Sequence, residues 1–161
     1  AEKAVQARID RLFAINGTKT VDSFHKKLGN IMWEYVGMAR NEEGLKKAIK
    51  EIKELKEDFY KEVYVPGTQF EFNQELEKAL RLEDFFEIGQ LMAYDALNRR
   101  ESCGGHFRIE SQTEEGEAKR DDSAFMYVAA WEYKGQDSEP ELHKEPLKYE
   151  LIEVKTRNYK D

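Results

Sequence analysis

Residues 99–108 read RRESCGGHFR, and this stretch divides the chain into two kinds of sequence. Ahead of it, apolar residues recur at steps of three and four. Behind it come a polar run, SQTEEGEAKRDDS at 111–123, and then an aromatic and β-branched segment, AFMYVAAWEY at 124–133. The break itself gathers the chain's only cysteine, one of its three histidines and three arginines. It could therefore be a metal site, a nucleophile with its base, an anion clamp, or a helix end that docks against something else.

Working upstream, NQELEKALRLEDFFEIGQLMAYDALNRRES predicts a long helix over about 74–102, with Asn73 as its cap. Leu76, Leu80, Phe86, Leu91, Ala93 and Leu97 line one face, and Ala79, Gly89 and Ala96 let neighbours approach. Before it, Asn41 caps EEGLKKAIKEIKELKEDFYKEV, whose stripe is Leu45, Ile49, Ile52, Leu55 and Phe59 against a solvated Lys/Glu face. VPGTQ at 65–69 separates the two helices. Thr20, with Asp22 in the first turn, opens a further helix carrying Phe24, Leu28, Ile31, Met32, Tyr35 and Met38. Residues 2–15 form one more, with Val5, Ile9, Leu12 and Phe13 inward and Asn16-Gly17 as its stop.

These helices and their short loops predict a mainly α fold, a three-helix antiparallel bundle of spectrin-repeat type over 1–105. Residues 106–161 form a loop and a two-stranded β extension packed on it, one domain in all. The strands are expected at 124–133 and in LKYELIEVKTR at 147–157, with Pro140 and Pro146 punctuating the link. A lone hairpin is marginal in water, so it should lean on the bundle. Trp33 is expected to anchor helix packing and Trp131 the strand tail. The start at AEKAVQARIDRLF, helical from its first residues and with no cap before it, points to a piece of a longer chain.

Composition narrows the function classes. In 161 residues, 40% are apolar and 37% charged, with a net charge of −7. Phosphate-binding surfaces are basic, and the lysines here alternate with glutamates, so nucleic acid is not expected as a partner. No apolar run reaches the roughly 18 residues of a membrane span. A single cysteine fits a reducing compartment.

The chemistry in RRESCGGHFR weakens on inspection. Cys103 and His106 are spaced C-x-x-H, but structural zinc needs four ligands, and His25 and His143 are scattered elsewhere. A thiol after a helix C-terminus lies at the carbonyl end of the dipole, where thiolate is disfavoured. Phosphate loops feed a helix N-terminus, whereas Gly104-Gly105 follows a helix and fits a left-handed helix stop. Arg99, Arg100, Arg108 and Arg120, close to Glu101, Asp121 and Asp122, read better as a salt-bridge network than as a substrate clamp.

The same residues carry a resemblance. RRESCGGHFR followed by RDD at 120–122 resembles the R-x-E-S-R-G-x-H-x-R … R-D-D signature in the C-terminal region of succinate dehydrogenase and fumarate reductase flavoprotein subunits, which aspartate oxidases partly share. IMWEYVGMARNEEGLKKAIKEIKEL at 31–55 looks like that family's helix pair with its VG-x-x-R element, and the segment ending ALNRRES looks like its next long helix. The likeness runs from about residue 5 to the end. The commoner pattern has arginine at the position of Cys103 and a small residue such as alanine at Gly105; ESCGGH looks like the version in a bacterial subgroup with long C-terminal tails.

The resemblance implies a parent enzyme that interconverts succinate and fumarate with FAD and passes electrons to an iron–sulfur subunit. The membrane anchor is met only indirectly, and the complex is peripheral on the cytoplasmic side of the bacterial inner membrane. It implies no cofactor in this chain, whose sequence has no glycine-rich dinucleotide fingerprint, and no catalytic residue either. Arg100, Glu101, Ser102, His106, Arg108, Arg120, Asp121 and Asp122 match the signature and become interdomain docking candidates toward the FAD-binding and capping domains and the iron–sulfur subunit. Two rivals stand beside this reading: an autonomous helical adaptor, and a small metal or thiol enzyme using Cys103 and His106.

Overall fold

The computed structural model describes residues 1–135 and 138–155. Four helices carry the fold: α1 (Glu2–Ala14), α2 (Val21–Val36), α3 (Glu42–Glu62) and α4 (Gln74–Asn98). The three longer ones pack on one another, and α1 lies against α4. Each of the three expected caps is made. Thr20 Oγ1 accepts from the Ser23 N–H at 3.3 Å, Asn41 Oδ1 from Gly44 at 2.7 Å, and Asn73 Oδ1 from Leu76 at 3.0 Å. A cap of this kind is worth about 1 kcal/mol.

The core follows the apolar stripes. Leu12, Phe24, Leu28, Ile52, Phe59, Leu82 and Phe86 form one buried cluster, in which the Phe59 ring meets Phe24 and Phe86 edge-on at 5.4 and 5.5 Å. Val36, Leu45, Ala48, Ala93 and Ala96 form a second, nearer the α4 C-terminus. Alanines there let α3 and α4 close up. At Gly89 a Cβ would sit 3.2 Å from Met32 Sδ, so α2 lies close against α4 as well.

Several expectations are corrected. Trp33 is 83% exposed and Met38 87% exposed, so neither joins the core. Trp33 lies on the face of α2 turned away from the buried Phe24 and Leu28, and Met38 follows the helix, which ends at Val36. Val5, near the start of α1, is half-exposed. The long helix stops at Asn98, short of 102, because Arg99 adopts extended geometry (φ −83°, ψ 96°).

A two-residue parallel pair, β1 (Lys19–Thr20) with β2 (Val63–Tyr64), closes the end of the bundle where α1 leads into α2. Gly17 makes this possible: a Cβ there would lie 2.0 Å from the Glu62 backbone. No apolar alternation marks so short a pair.

Downstream, a single turn α5 (Asp122–Phe125) precedes an antiparallel hairpin of β3 (Tyr127–Glu132) and β4 (Glu141–Pro146). The second strand is therefore ELHKEP, not the alternating segment at 147–157; residues 147–155 form no regular strand, and 156–157 lie outside the described residues. Register explains the difference. Pairing of Glu132 with Glu141 closes a short connection, whereas a strand beginning at 147 would need a longer one. β4 is an exposed edge held by backbone bonds, and its side chains leave little hydrophobic signal. Trp131 does anchor the hairpin: its Nε1–H donates to Asp95 Oδ1 of α4 at 2.8 Å.

Candidate functional site: the polar arm at the bundle end

Residues 99–111 form an arm that turns back across the bundle end, and its bonds explain the residue types found there. The Gly-Gly pair is the tip of a tight hairpin, a correction to the helix-stop expectation. Cys103 and His106 exchange backbone bonds at 2.8 and 3.0 Å, and Gly104 alone of the pair has positive φ, +59°. That pattern suits the first central position of a type II′ turn, which favours glycine.

Beyond the tip the arm pairs with the α2–α3 corner. Arg40 N–H donates to Phe107 O at 3.0 Å, and Ile109 N–H donates to Arg40 O at 2.8 Å. Between them Arg108, 2% exposed, reaches into the end of α4. Its Nη1 donates to the Ala96 and Leu97 carbonyls at 3.0 and 3.3 Å. α4 has no basic residue in its own last turn, so Arg108 supplies from the arm the positive charge a helix C-terminus favours. Its Nε donates to Glu110 Oε2 at 3.2 Å, while Glu110 Oε1 accepts from the Glu42 N–H at 2.6 Å in the first turn of α3. One ion pair thus bridges the negative end of α4 and the positive end of α3. Burial raises the Glu110 carboxyl, but the backbone and Arg108 donors outweigh it and hold the group below its ordinary value.

Three more residues lock the arm. Ser102 is fully buried; its Oγ donates to Arg108 O at 3.2 Å and accepts from Arg108 N–H at 2.8 Å. Glu101, 3% exposed, accepts from Arg99 Nη1 at 2.7 Å and from the Asp121 N–H at 2.9 Å. Arg99 also donates to the Phe125 and Tyr127 carbonyls, both at 3.0 Å, and so ties α4 to the hairpin. His106 is half-buried between Arg99 O, 2.8 Å from Nε2, and Arg40 Nη1, 2.7 Å from Nδ1. A carbonyl only accepts and a guanidinium only donates, so the proton is on Nε2 and Nδ1 is the acceptor.

Of the remaining docking candidates, Arg100, Asp121 and Asp122 are exposed and Arg120 is half-buried. Arg100 is exposed, with its carbonyl taken by Ser111 Oγ at 2.6 Å. Arg120 Nε donates to Asp122 at 2.9 Å and its Nη1 to Lys155 O at 3.2 Å. Asp121 caps α5 through Ala124 N–H at 3.2 Å and accepts from Ser123 Oγ at 2.7 Å; these donors hold its carboxyl below the usual range. The eight candidates thus divide into a buried or half-buried set, Glu101, Ser102, His106, Arg108 and Arg120, and a surface set, Arg100, Asp121 and Asp122.

The arm does not pair its cysteine with a base. Cys103 is exposed, and both nitrogens of His106 are engaged elsewhere, so the imidazole is not placed to take the thiol's proton. On the hairpin, Glu132, Glu141 and His143 come together at the surface. The Lys134 ammonium lies 2.8 Å from both carboxylates there, and His143 Nε2 is 2.8 Å from Glu132, which makes an ion-pair cluster. Gly104-Gly105 is a hairpin tip and Gly17 is taken up by its approach to the Glu62 backbone, so neither opens a helix N-terminus as a flavin's pyrophosphate cradle does.

Arg40 and Glu110 belong to the network and were not singled out from the sequence; Arg99 was expected in the salt-bridge network but not among the docking candidates. Arg40 closes the VG-x-x-R element at 36–40, and Arg99 opens RRES, where only the bundle's geometry shows that it and not Arg100 turns inward. Glu110 follows Arg108 by two residues, the alternation of an extended arm.

Comparison with known proteins agrees with this architecture. The family model for the fumarate reductase flavoprotein C-terminus matches residues 25–159. A fumarate reductase flavoprotein subunit from Serratia sp. is 33% identical over 122 residues, covering 76% of this chain and 20% of the relative. The Haemophilus influenzae subunit is 27% identical over 157 residues, 98% of this chain and 25% of the relative. In structure, an E. coli quinol fumarate reductase matches with a TM-score of 0.81 at 26% identity, covering 96% of this chain and 26% of that one. The chain thus spans about a fifth to a quarter of the length of the relatives it matches. With a family match of this extent the autonomous-adaptor reading is not favoured, and the chain belongs to the fumarate reductase flavoprotein C-terminal family.

Proposed function

We propose that this chain is the C-terminal structural domain of a succinate dehydrogenase/fumarate reductase flavoprotein. In the complete enzyme FAD interconverts succinate and fumarate, and electrons pass to an iron–sulfur subunit on the cytoplasmic side of the bacterial inner membrane. Among the described residues, no helix is long and apolar enough to cross a membrane. Residues 1–105 and 106–161 act together as one unit that seats on the flavin and capping domains, and the chain by itself carries no flavin and no turnover.

The observation that carries this reading is the family match over residues 25–159. The docking part is supported by an apolar recess beside the arm. Ile88, Met92 and Val128 line it together with Leu91 and Trp131, and the first three are 54%, 48% and 48% exposed. Exposed apolar surface of this kind marks contact sites. Asp95 and Arg99 supply its polar lining, and Glu101, Ser102 and Arg108 hold the arm that Arg99 opens.

The test compares this chain with the full-length flavoprotein. The isolated chain should purify colourless and fail to reduce a dye with succinate, and the full-length protein should carry flavin and reduce the dye. In the full-length protein, Met92→Glu should weaken attachment of this domain, read as faster proteolytic release, with the isolated chain's own stability unchanged. Stoichiometric flavin or turnover on the isolated chain overturns the reading.

A further inference from the structure

The Arg40–His106 contact has a property that the rest of the network lacks. His106 is the one histidine among the side chains that hold the arm, and both of its ring nitrogens are committed in opposite senses. Nε2 faces the Arg99 carbonyl at 2.8 Å and has to donate; Nδ1 faces Arg40 Nη1 at 2.7 Å and has to accept. Only the neutral imidazole satisfies both partners.

Arg40 cannot resolve the conflict by losing its own proton, since a guanidinium stays charged in proteins. It is also held in place. Its Nε donates to the Val36 and Gly37 carbonyls at 3.0 and 3.1 Å, so it caps the end of α2. Its backbone makes both bonds that pair the α2–α3 corner with the arm.

We propose that the Arg40–His106 contact is a proton-operated latch: a neutral His106 holds the 99–109 arm on the α2–α3 corner, and protonation of Nδ1 turns that attraction into repulsion and loosens the arm.

The groups facing the ring pull in both directions, and their balance is downward. Burial lowers the His106 pKa most; the Arg99 carbonyl opposes this, Arg40 and Arg108 lower it further, and Asp95 on α4 raises it. The net shift is downward from the ordinary value of 6.5. A histidine whose pKa is lower folded than unfolded stabilises the fold above the unfolded value. That contribution is lost as pH falls from about 6.5 toward the folded value. Loosening the arm would move Arg100 and the Asp121 turn, so the latch sets how firmly the outward residues are presented. It depends only on contacts within this chain and not on the flavoenzyme assignment.

Nuclear magnetic resonance on the isotopically labelled chain tests it. The expected result is an Nε2–H tautomer at neutral pH and a His106 titration below 6.5. In Arg40→Met, removal of the adjacent cation should move that titration up by roughly one unit, the lower end of what a charge at contact distance produces. Between pH 7 and 5.5, Arg40 and Ile109 amides should lose hydrogen-exchange protection faster than α3 amides, and His106→Gln should abolish that step. An Nδ1–H tautomer, a titration at or above 6.5, or no change in Arg40→Met overturns the latch. The wild-type titration decides it even if either variant fails to fold.

Discussion

The helical core and the polar arm are held by opposite means. Around Phe24, Phe59 and Phe86 stability comes from apolar area taken out of water, which is non-directional and tolerates shifts along a helix. In the arm, Glu101, Ser102 and Arg108 are as buried as core residues, yet each is fixed by named donors and acceptors. A core needs only the right residues on one face, whereas the arm needs each partner at one distance and angle. Among the described residues no buried side-chain nitrogen or oxygen lacks a hydrogen-bond partner, which is what keeps such a network from being a liability.

The sharpest way to break this contrast is to truncate one residue of each kind. Phe59→Ala should cost roughly 3–5 kcal/mol, because the ring is fully buried between two other rings. A urea unfolding midpoint measures it. Arg108→Met keeps much of the apolar stem but removes the cap from α4 and the bridge to Glu110. Its charged hydrogen bonds are worth about 1.5–3 kcal/mol. The loss should appear locally, as faster exchange in the last turn of α4 with α1 unaffected. If exchange rises evenly throughout, the arm is part of the core's cooperative unit and the contrast fails.

Ser102→Ala isolates a single hydroxyl. It leaves the buried Arg108 N–H without its acceptor, an expected loss of about 1–3 kcal/mol by the same unfolding experiment. Trp33→Ala is the lower bound. The side chain is 83% exposed, so stability should stay within about 0.5 kcal/mol of the parent, with intrinsic fluorescence reporting only the lost indole. A larger loss would mean that Trp33 packs in solution, as its size first implied.

Legibility tracked the same division. Leu45, Ile52, Phe59 and Phe86 could be placed inside from spacing alone, and Thr20, Asn41 and Asn73 as caps, because both signals repeat within a few residues. Trp33 was misplaced because residue size alone suggested burial although it lies off the stripe, and Met38 because the apolar spacing runs past the end of α2 at Val36. β4 was missed because ELHKEP is held by backbone pairing to β3, and backbone bonds leave no trace in side-chain type. In the candidate site, RRESCGGHFR and RDD were visible as a charged cluster and as a family likeness. Which arginine turns inward, and that Arg40 completes the cluster from 66 residues away, were not.

By itself the sequence determined a capped helical bundle, a break at residue 99 and a family, since periodicity, caps and motifs are local properties. The tertiary structure decided what the break does. Distances between Arg40, His106, Arg99 and Arg108 exist only after α2, α3 and α4 have packed, and those distances make the chain's most reactive-looking residues into the bonds that hold its helix ends together.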